Sequence, residues 1–136
     1  MKIRKATLDD SSLVSLLLYR MYTEVAGERA SQNLEDYKEL YKYHLSNDQV
    51  FLYEDKAVFV MRDVSISVID MQMWDGVSVY ILPEYRKTKI LYELYKYMFA
   101  NFSGSIVGFV EPNSKHYKVV SKRNRLVGYV YELNRS

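Results

Sequence analysis

Three cations, Arg86, Lys87 and Lys89, lie between an apolar run and a helical repeat, and no other residues of this chain are better placed to do chemistry. The run Val77, Val79, Ile81 and Leu82 stops at Pro83, and apolar residues then recur at Ile90, Leu91, Leu94, Met98 and Phe99. This pattern predicts a strand, a tight turn and a helix over residues 88–102. A helix start leaves backbone N–H groups without partners and carries the positive end of the macrodipole. With cations crowded beside it, such a turn is a natural seat for phosphate.

Other reactive groups are sparse. The chain has no cysteine, which removes disulfides, thiol nucleophiles and thiolate metal sites. His44 and His116 are far apart, with no carboxylates at ligand spacing around them, so no metal site is expected. There is no Ser/His/Asp set and no nucleophile elbow. Residues 1–85 carry 9 Lys/Arg against 14 Asp/Glu, and residues 86–136 carry 10 against 3. An anionic ligand at the turn, a nucleic-acid surface or a solvated basic face each account for that asymmetry. Lys115, Lys118, Lys122, Arg123 and Arg125 around Tyr117 have the look of a nucleic-acid patch, although a solvated helix face explains them more simply.

The elements that must position the turn follow from length and pattern. The 136 residues, 49% hydrophobic and 26% charged, fit one globular domain spanning 1–136. No apolar run reaches the roughly 18 residues of a membrane helix, and the basic start lacks a signal-peptide core, so a cytoplasmic protein is expected. Residues 1–7 read as a strand. Thr7 and Asp10 form a capping box for a helix to about residue 24, with Leu13, Leu16, Leu17, Arg20 and Met21 repeating at helical spacing and Gly27 ending it. Ser31 or Asn33 caps a second helix carrying Leu34, Tyr37, Leu40, Tyr41, His44 and Leu45. Strands at 49–53 and 57–61 flank a short turn, and 64–73 continues as β. Asp75-Gly76 then signals a hairpin before a strand at 77–82, with Trp74 as its anchor or as an exposed contact. A strand at 105–110, a short helix at 114–122 and a strand at 126–133 complete an α/β (α+β) domain. Fourteen tyrosines suit helix–sheet seams or an assembly interface.

That order, with VYILPEYRKTKILYELYKYM at 79–98, resembles the GNAT (general N-acetyltransferase) superfamily. Pro83-Glu84-Tyr85-Arg86 is similar to the opening of its coenzyme-binding turn. Asn113 followed by Leu126-Val127-Gly128-Tyr129 is similar to its ending, and the IRKATLDD start is also typical. The resemblance implies a mixed, mostly antiparallel sheet of 6–7 strands flanked by about four helices. It also implies transfer of an acetyl group from acetyl-CoA to an amine. Laid on the family's Gln/Arg-x-x-Gly-x-Gly/Ala turn, the six positions are Arg86, Lys87, Thr88, Lys89, Ile90 and Leu91. Lys89 and Leu91 stand where small residues belong, which implies coenzyme binding that is weakened or lost.

The resemblance further places the acyl thioester between Ile81 and Leu82 on one strand and Val107–Val110 on the next, with the amide after Ile81 polarising its carbonyl. Asn113 joins the coenzyme-binding set. For proton transfer it offers Tyr117, one turn before the family's usual tyrosine position (here Val120), and Asp70 or Glu111 as bases; the catalytic set stays open. A catalytically silent reading is kept beside this one. Small GNAT-like proteins with eroded turns occur in tailed bacteriophages as particle or assembly components, acting through protein contacts or as homo-oligomers.

Overall fold

The computed structural model describes residues 2–108. The predicted end of the fifth strand beyond that point, the short helix at 114–122 and the strand at 126–133 lie outside the described residues.

Strand β1 (Ile3–Lys5) leads through Thr7, whose backbone N–H donates to Asp10 Oδ2 at 2.8 Å, into helix α1 (Ser11–Ala26). Val14, Leu17, Leu18 and Met21 recur at helical spacing and are buried, whereas Leu16, which fits the repeat, is turned to solvent. Gly27, at φ +58°, ends α1 in a conformation that side chains resist. Asn33 caps α2 (Leu34–Asn47) by accepting from the Glu35 amide at 3.1 Å, and Tyr37, Tyr41 and His44 form its buried stripe.

Strands β2 (Gln49–Tyr53) and β3 (Ala57–Asp63) are buried on both faces, which is why their sequences read as unbroken apolar runs. The sheet order is β1-β2-β3-β4-β5. The first four strands are antiparallel, and β5 (Ser105–Val107) runs parallel to β4 (Met73–Ile81) after the crossover helix α3 (Ile90–Asn101). Among the described residues there are thus five strands and three α-helices, against the 6–7 and about four expected for the whole chain.

Two cores result. Val50, Leu52, Val58, Val60 and Tyr80 face α1 and α2, while Phe51, Phe59, Met61 and Ile81 face Ile90, Leu94 and Met98 of α3. Each fully buried aliphatic side chain contributes about 1.5–3 kcal/mol, enough to fix α3, and with it the turn at its start, onto the sheet. The tyrosines work at the seams: Tyr41 donates to Thr7 O at 2.6 Å, Tyr37 to Ser31 O at 2.8 Å and Tyr53 to Glu93 at 2.7 Å.

One expectation fails outright. Asp75-Gly76 is not a hairpin turn but lies inside β4. The β3–β4 connection is the segment 64–72, closed by the Ile66–Met71 bridge and by Asp70 in the left-handed region at φ 51°. Glycine at 76 serves a bulge: Val60 opposes Ser78 and Met61 opposes Gly76, so Val77 is the extra residue. The Val107 carbonyl oxygen lies 3.6 Å from where a Cβ at Gly76 would stand, so β5 also passes close.

Candidate functional site

Leu82 leaves β4 in an extended conformation (ψ 138°), and Pro83 opens a single 3-10 turn, Pro83–Tyr85, as its fixed φ and missing N–H allow. Thr88 Oγ donates to Tyr85 O at 2.6 Å and accepts from the Ile90 amide at 3.4 Å, steadying the entry to α3. Among the described residues, the amides of Lys87, Lys89, Leu91 and Tyr92 have no recorded acceptor, and the side chains of Lys87 and Lys89 are exposed beside them. The expected strand–turn–helix is therefore formed, with its amides open.

The two departures from small residues do not disturb this geometry. Lys89 has φ −78°, an ordinary value, so no glycine is needed for the backbone path. Leu91 is 40% exposed and turned away from the buried Ile90–Leu94–Met98 stripe, so its bulk does not enter the helix–sheet contact. Ile90 itself faces the core, and its amide is engaged by Thr88.

Arg86, in contrast, is not a free cation. Its guanidinium donates to both carboxylate oxygens of Glu24 at 2.6 and 2.9 Å, its Nε donates to Ile81 O at 2.9 Å, and its plane lies 5.3 Å from the Tyr80 ring centre. Tyr80 donates to the same carboxylate at 3.0 Å. Glu24 sits in the last turn of α1, where the macrodipole disfavours a carboxylate, and Arg86 supplies the compensating charge. The hydrogen bonds from Arg86, chiefly, and from Tyr80 hold the Glu24 carboxyl below its usual range.

The strand edge also differs from expectation. The Leu82 amide donates to Lys56 O at 2.9 Å, so it belongs to the β3 side and cannot face β5. Backbone groups alternate along a strand, which puts the amides of Ile81 and Val79 on the β5 side; Ile81 O, taken by Arg86, agrees with this.

A second polar cluster, unforeseen from sequence, lies at the other end of β4. The bulge makes Asp75, Ser78 and Tyr80 share the face toward α1 and α2, and Asp75 directly opposes Arg62. Arg62 donates through Nε to Asp48 Oδ1 at 2.8 Å and through Nη2 to Asp48 Oδ2 at 3.1 Å, and His44 Nδ1 meets Oδ2 at 2.7 Å. The Asp48 side chain is wholly buried. Burial works to raise its carboxyl, but the hydrogen bonds from Arg62 and His44 outweigh it and hold it low. Asp75 is raised instead, by burial first and by Asp48's charge as well, with Arg62 pulling the other way; its Oδ1 is buried without a partner. A glycine inside an otherwise continuous β pattern reads equally as a bulge, and that was the available signal.

Asp70, a candidate base, is exposed at the tip of the β3–β4 connection and serves there as a turn residue. Trp74 packs on Phe102, with ring centres 4.8 Å apart. Glu111, Asn113, Tyr117 and His116, with the basic patch of Lys115, Lys118, Lys122, Arg123 and Arg125, lie outside the described residues. Among the described residues no group of three or more His, Asp or Glu is arranged to hold a metal ion, and no helix is long and apolar enough to cross a membrane. A shallow recess of ≈ 320 Å³ between Tyr22, Arg29, Asp36 and Tyr37 is separate from the turn.

No family model matches the chain, and none of the curated proteins matches it. Solved structures do. A possible acetyltransferase from Clostridium difficile 630 is 20% identical with a TM-score of 0.72, covering 98% of this chain and 97% of its own. A ribosomal-protein-alanine N-acetyltransferase from Brucella melitensis biovar Abortus 2308 is 12% identical at TM-score 0.68, with coverages of 98% and 97%. A predicted acetyltransferase from Clostridium acetobutylicum, solved with acetyl-CoA, is 13% identical at 0.70, with coverages of 97% and 94%. At such identities the likeness establishes the fold.

Proposed function

The chain has the fold of the GNAT acetyltransferases, and from that premise we propose that it is an acetyl-CoA-dependent N-acetyltransferase acting on an amine. The observation that carries this reading is the turn after Pro83: open amides at Lys87, Lys89, Leu91 and Tyr92, with two exposed lysines beside them. These groups fit a pyrophosphate, each charge-assisted hydrogen bond contributing about 1.5–3 kcal/mol. Bound there, acetyl-CoA would supply an activated acetyl thioester. Arg86 would shape the site from outside it, because its guanidinium already holds Glu24.

The Ile81 amide, on the β5 side of β4, is the donor placed for an acyl oxygen, replacing the Leu82 amide expected from sequence. An ammonium acceptor must lose a proton before it can attack. Asp75 is the described carboxylate best prepared to take one, since burial raises its carboxyl above the usual range and leaves Oδ1 without a described partner. In this reading Asp75 takes the place of Asp70. The expected loss of activity has no structural support at Lys89 or Leu91, and nothing in the fold or its neighbours favours a phage-particle component.

The test is direct. The chain has no cysteine, so CoA thiol released by transfer to polyamine, aminoglycoside or peptide amines can be read with a thiol reagent free of protein background. Acetyl-CoA at a hundred times its Kd should add about 2.7 kcal/mol of stability, a shift of several degrees in Tm. No shift at millimolar acetyl-CoA would sink the proposal. A shift that vanishes in Lys87→Ala/Lys89→Ala would place the phosphates at the turn.

A further inference from the structure

We propose that Arg62, clamped by Asp48 and His44, is a positioning residue that sets the protonation of Asp75 from across the β3–β4 ladder. The inference rests on the reading of Asp75 as proton acceptor, but its physical content can be measured without any reaction.

The geometry is a cation between two carboxylates at the C-terminal end of α2. Asp48 is fully buried and uses both oxygens: Oδ1 accepts from Arg62 Nε at 2.8 Å, and Oδ2 accepts from Arg62 Nη2 at 3.1 Å and meets His44 Nδ1 at 2.7 Å. A planar fork held in two places cannot swing, so the guanidinium is fixed over the position on β4 that opposes it, which is Asp75. Tyr43 supports the other side, its ring centre 5.9 Å from the guanidinium carbon. Among the described residues the groups facing Asp75 are therefore Arg62 from β3 and Asp48, just past the end of α2, with His44 behind it in that helix; on β5 its neighbour is Val107, which carries no charge.

One cation cannot neutralise a buried and a half-buried carboxylate equally. Asp48 takes both of the recorded hydrogen bonds from the fork and keeps its charge. Asp75 is left with a buried oxygen that no described group satisfies, and it is the member of the pair free to gain and lose a proton. The separation of roles depends on where Arg62 is held, and that depends on Asp48. His44 braces Asp48 from one side only, because its Nε2 is itself buried without a partner.

The test uses the full chain and a ¹³C-carboxyl NMR titration of Asp75. Arg62→Met removes the cation and should raise the Asp75 midpoint by about one pH unit. Asp48→Asn removes the competing anion and should lower it. Arg62→Lys, which keeps the charge and loses the fork, should fall between wild type and Arg62→Met, and it remains informative if the methionine variant fails to fold. A merely structural role would loosen the site and move both neutralising variants the same way, toward an ordinary carboxylate. Shifts in one direction, or no shift, overturn the proposal; opposed shifts establish it. The acid limb of the kcat/KM profile for acetyl transfer should move with the NMR midpoint. Opposed NMR shifts in a protein that releases no CoA thiol would uphold the Arg62 assignment and refute the acetyltransferase reading.

Discussion

The pairing of Arg86 with Glu24 makes a sharp prediction, because it joins the turn after Pro83 to a helix 62 residues upstream. Glu24→Gln removes the charge and keeps the shape. The ion pair is bidentate at 2.6 and 2.9 Å, but about 40% of each side chain is exposed, so solvent screening limits it to about 1 kcal/mol. Loss of the charged acceptor for Tyr80 adds about 0.5–1 kcal/mol, and relief of an anion at the C-terminus of α1 returns about 0.3–0.5 kcal/mol. The net expectation is a loss of about 1 kcal/mol, or about 3–5 °C in Tm for a domain of this size. Arg86→Met should lose more, because Ile81 O is also left without its donor. Urea denaturation followed by the single tryptophan, Trp74, gives both losses and that of the double variant. The double variant should recover about 0.5–1 kcal/mol relative to the sum, and this coupling should shrink in 1 M salt. Losses that simply add, to within about 0.3 kcal/mol, would refute the account of Arg86 as an anchor and return it to the proposed ligand-binding set.

Two further outcomes follow from single positions. Gly104→Ala should destabilise by about 2–3 kcal/mol in the same urea assay, since φ is +86° and a Cβ would stand 2.4 Å from Gln72 O; a variant as stable as wild type would contradict the turn before β5. Asp10 is held at about 2 by hydrogen bonding to Arg4, below the model-peptide value of about 4, so its folded state prefers the charged form. Stability from this group is present above pH 4 and is lost as pH falls toward 2. The advantage of wild type over Asp10→Asn should therefore disappear across that window, and an advantage unchanged down to pH 2 would exclude the pairing.

What could be read from the sequence was what local chemistry decides. Thr7 with Asp10, Gly27 and Asn33 marked helix ends because capping involves neighbours a few residues apart, and Pro83 marked the turn because its ring leaves few alternatives. Periodicity placed α1 but not its buried face: Leu16 fits the repeat as well as Leu18, and only the sheet decides which is covered. The Asp48–Arg62 pair left no trace because a strand and a turn separate its members. Glu24 was invisible as the partner of Arg86 for the same reason. Asp75-Gly76 misled because aspartate before glycine favours a two-residue loop, and in this chain the ladder on both sides overrode that local preference.

The extra residue at Val77 divides β4 into two lengths that are out of step, with 73–76 in one reading frame and 78–81 in the other. Removing that residue would bring the frames back together. The carboxylate at 75 would keep its place opposite Arg62; pairing Val77 into the ladder instead would turn that carboxylate over to the layer that holds Phe59 and Leu94. Losing the residue is therefore the minor edit; keeping it and straightening the strand would exchange the upper and lower sides of half its length.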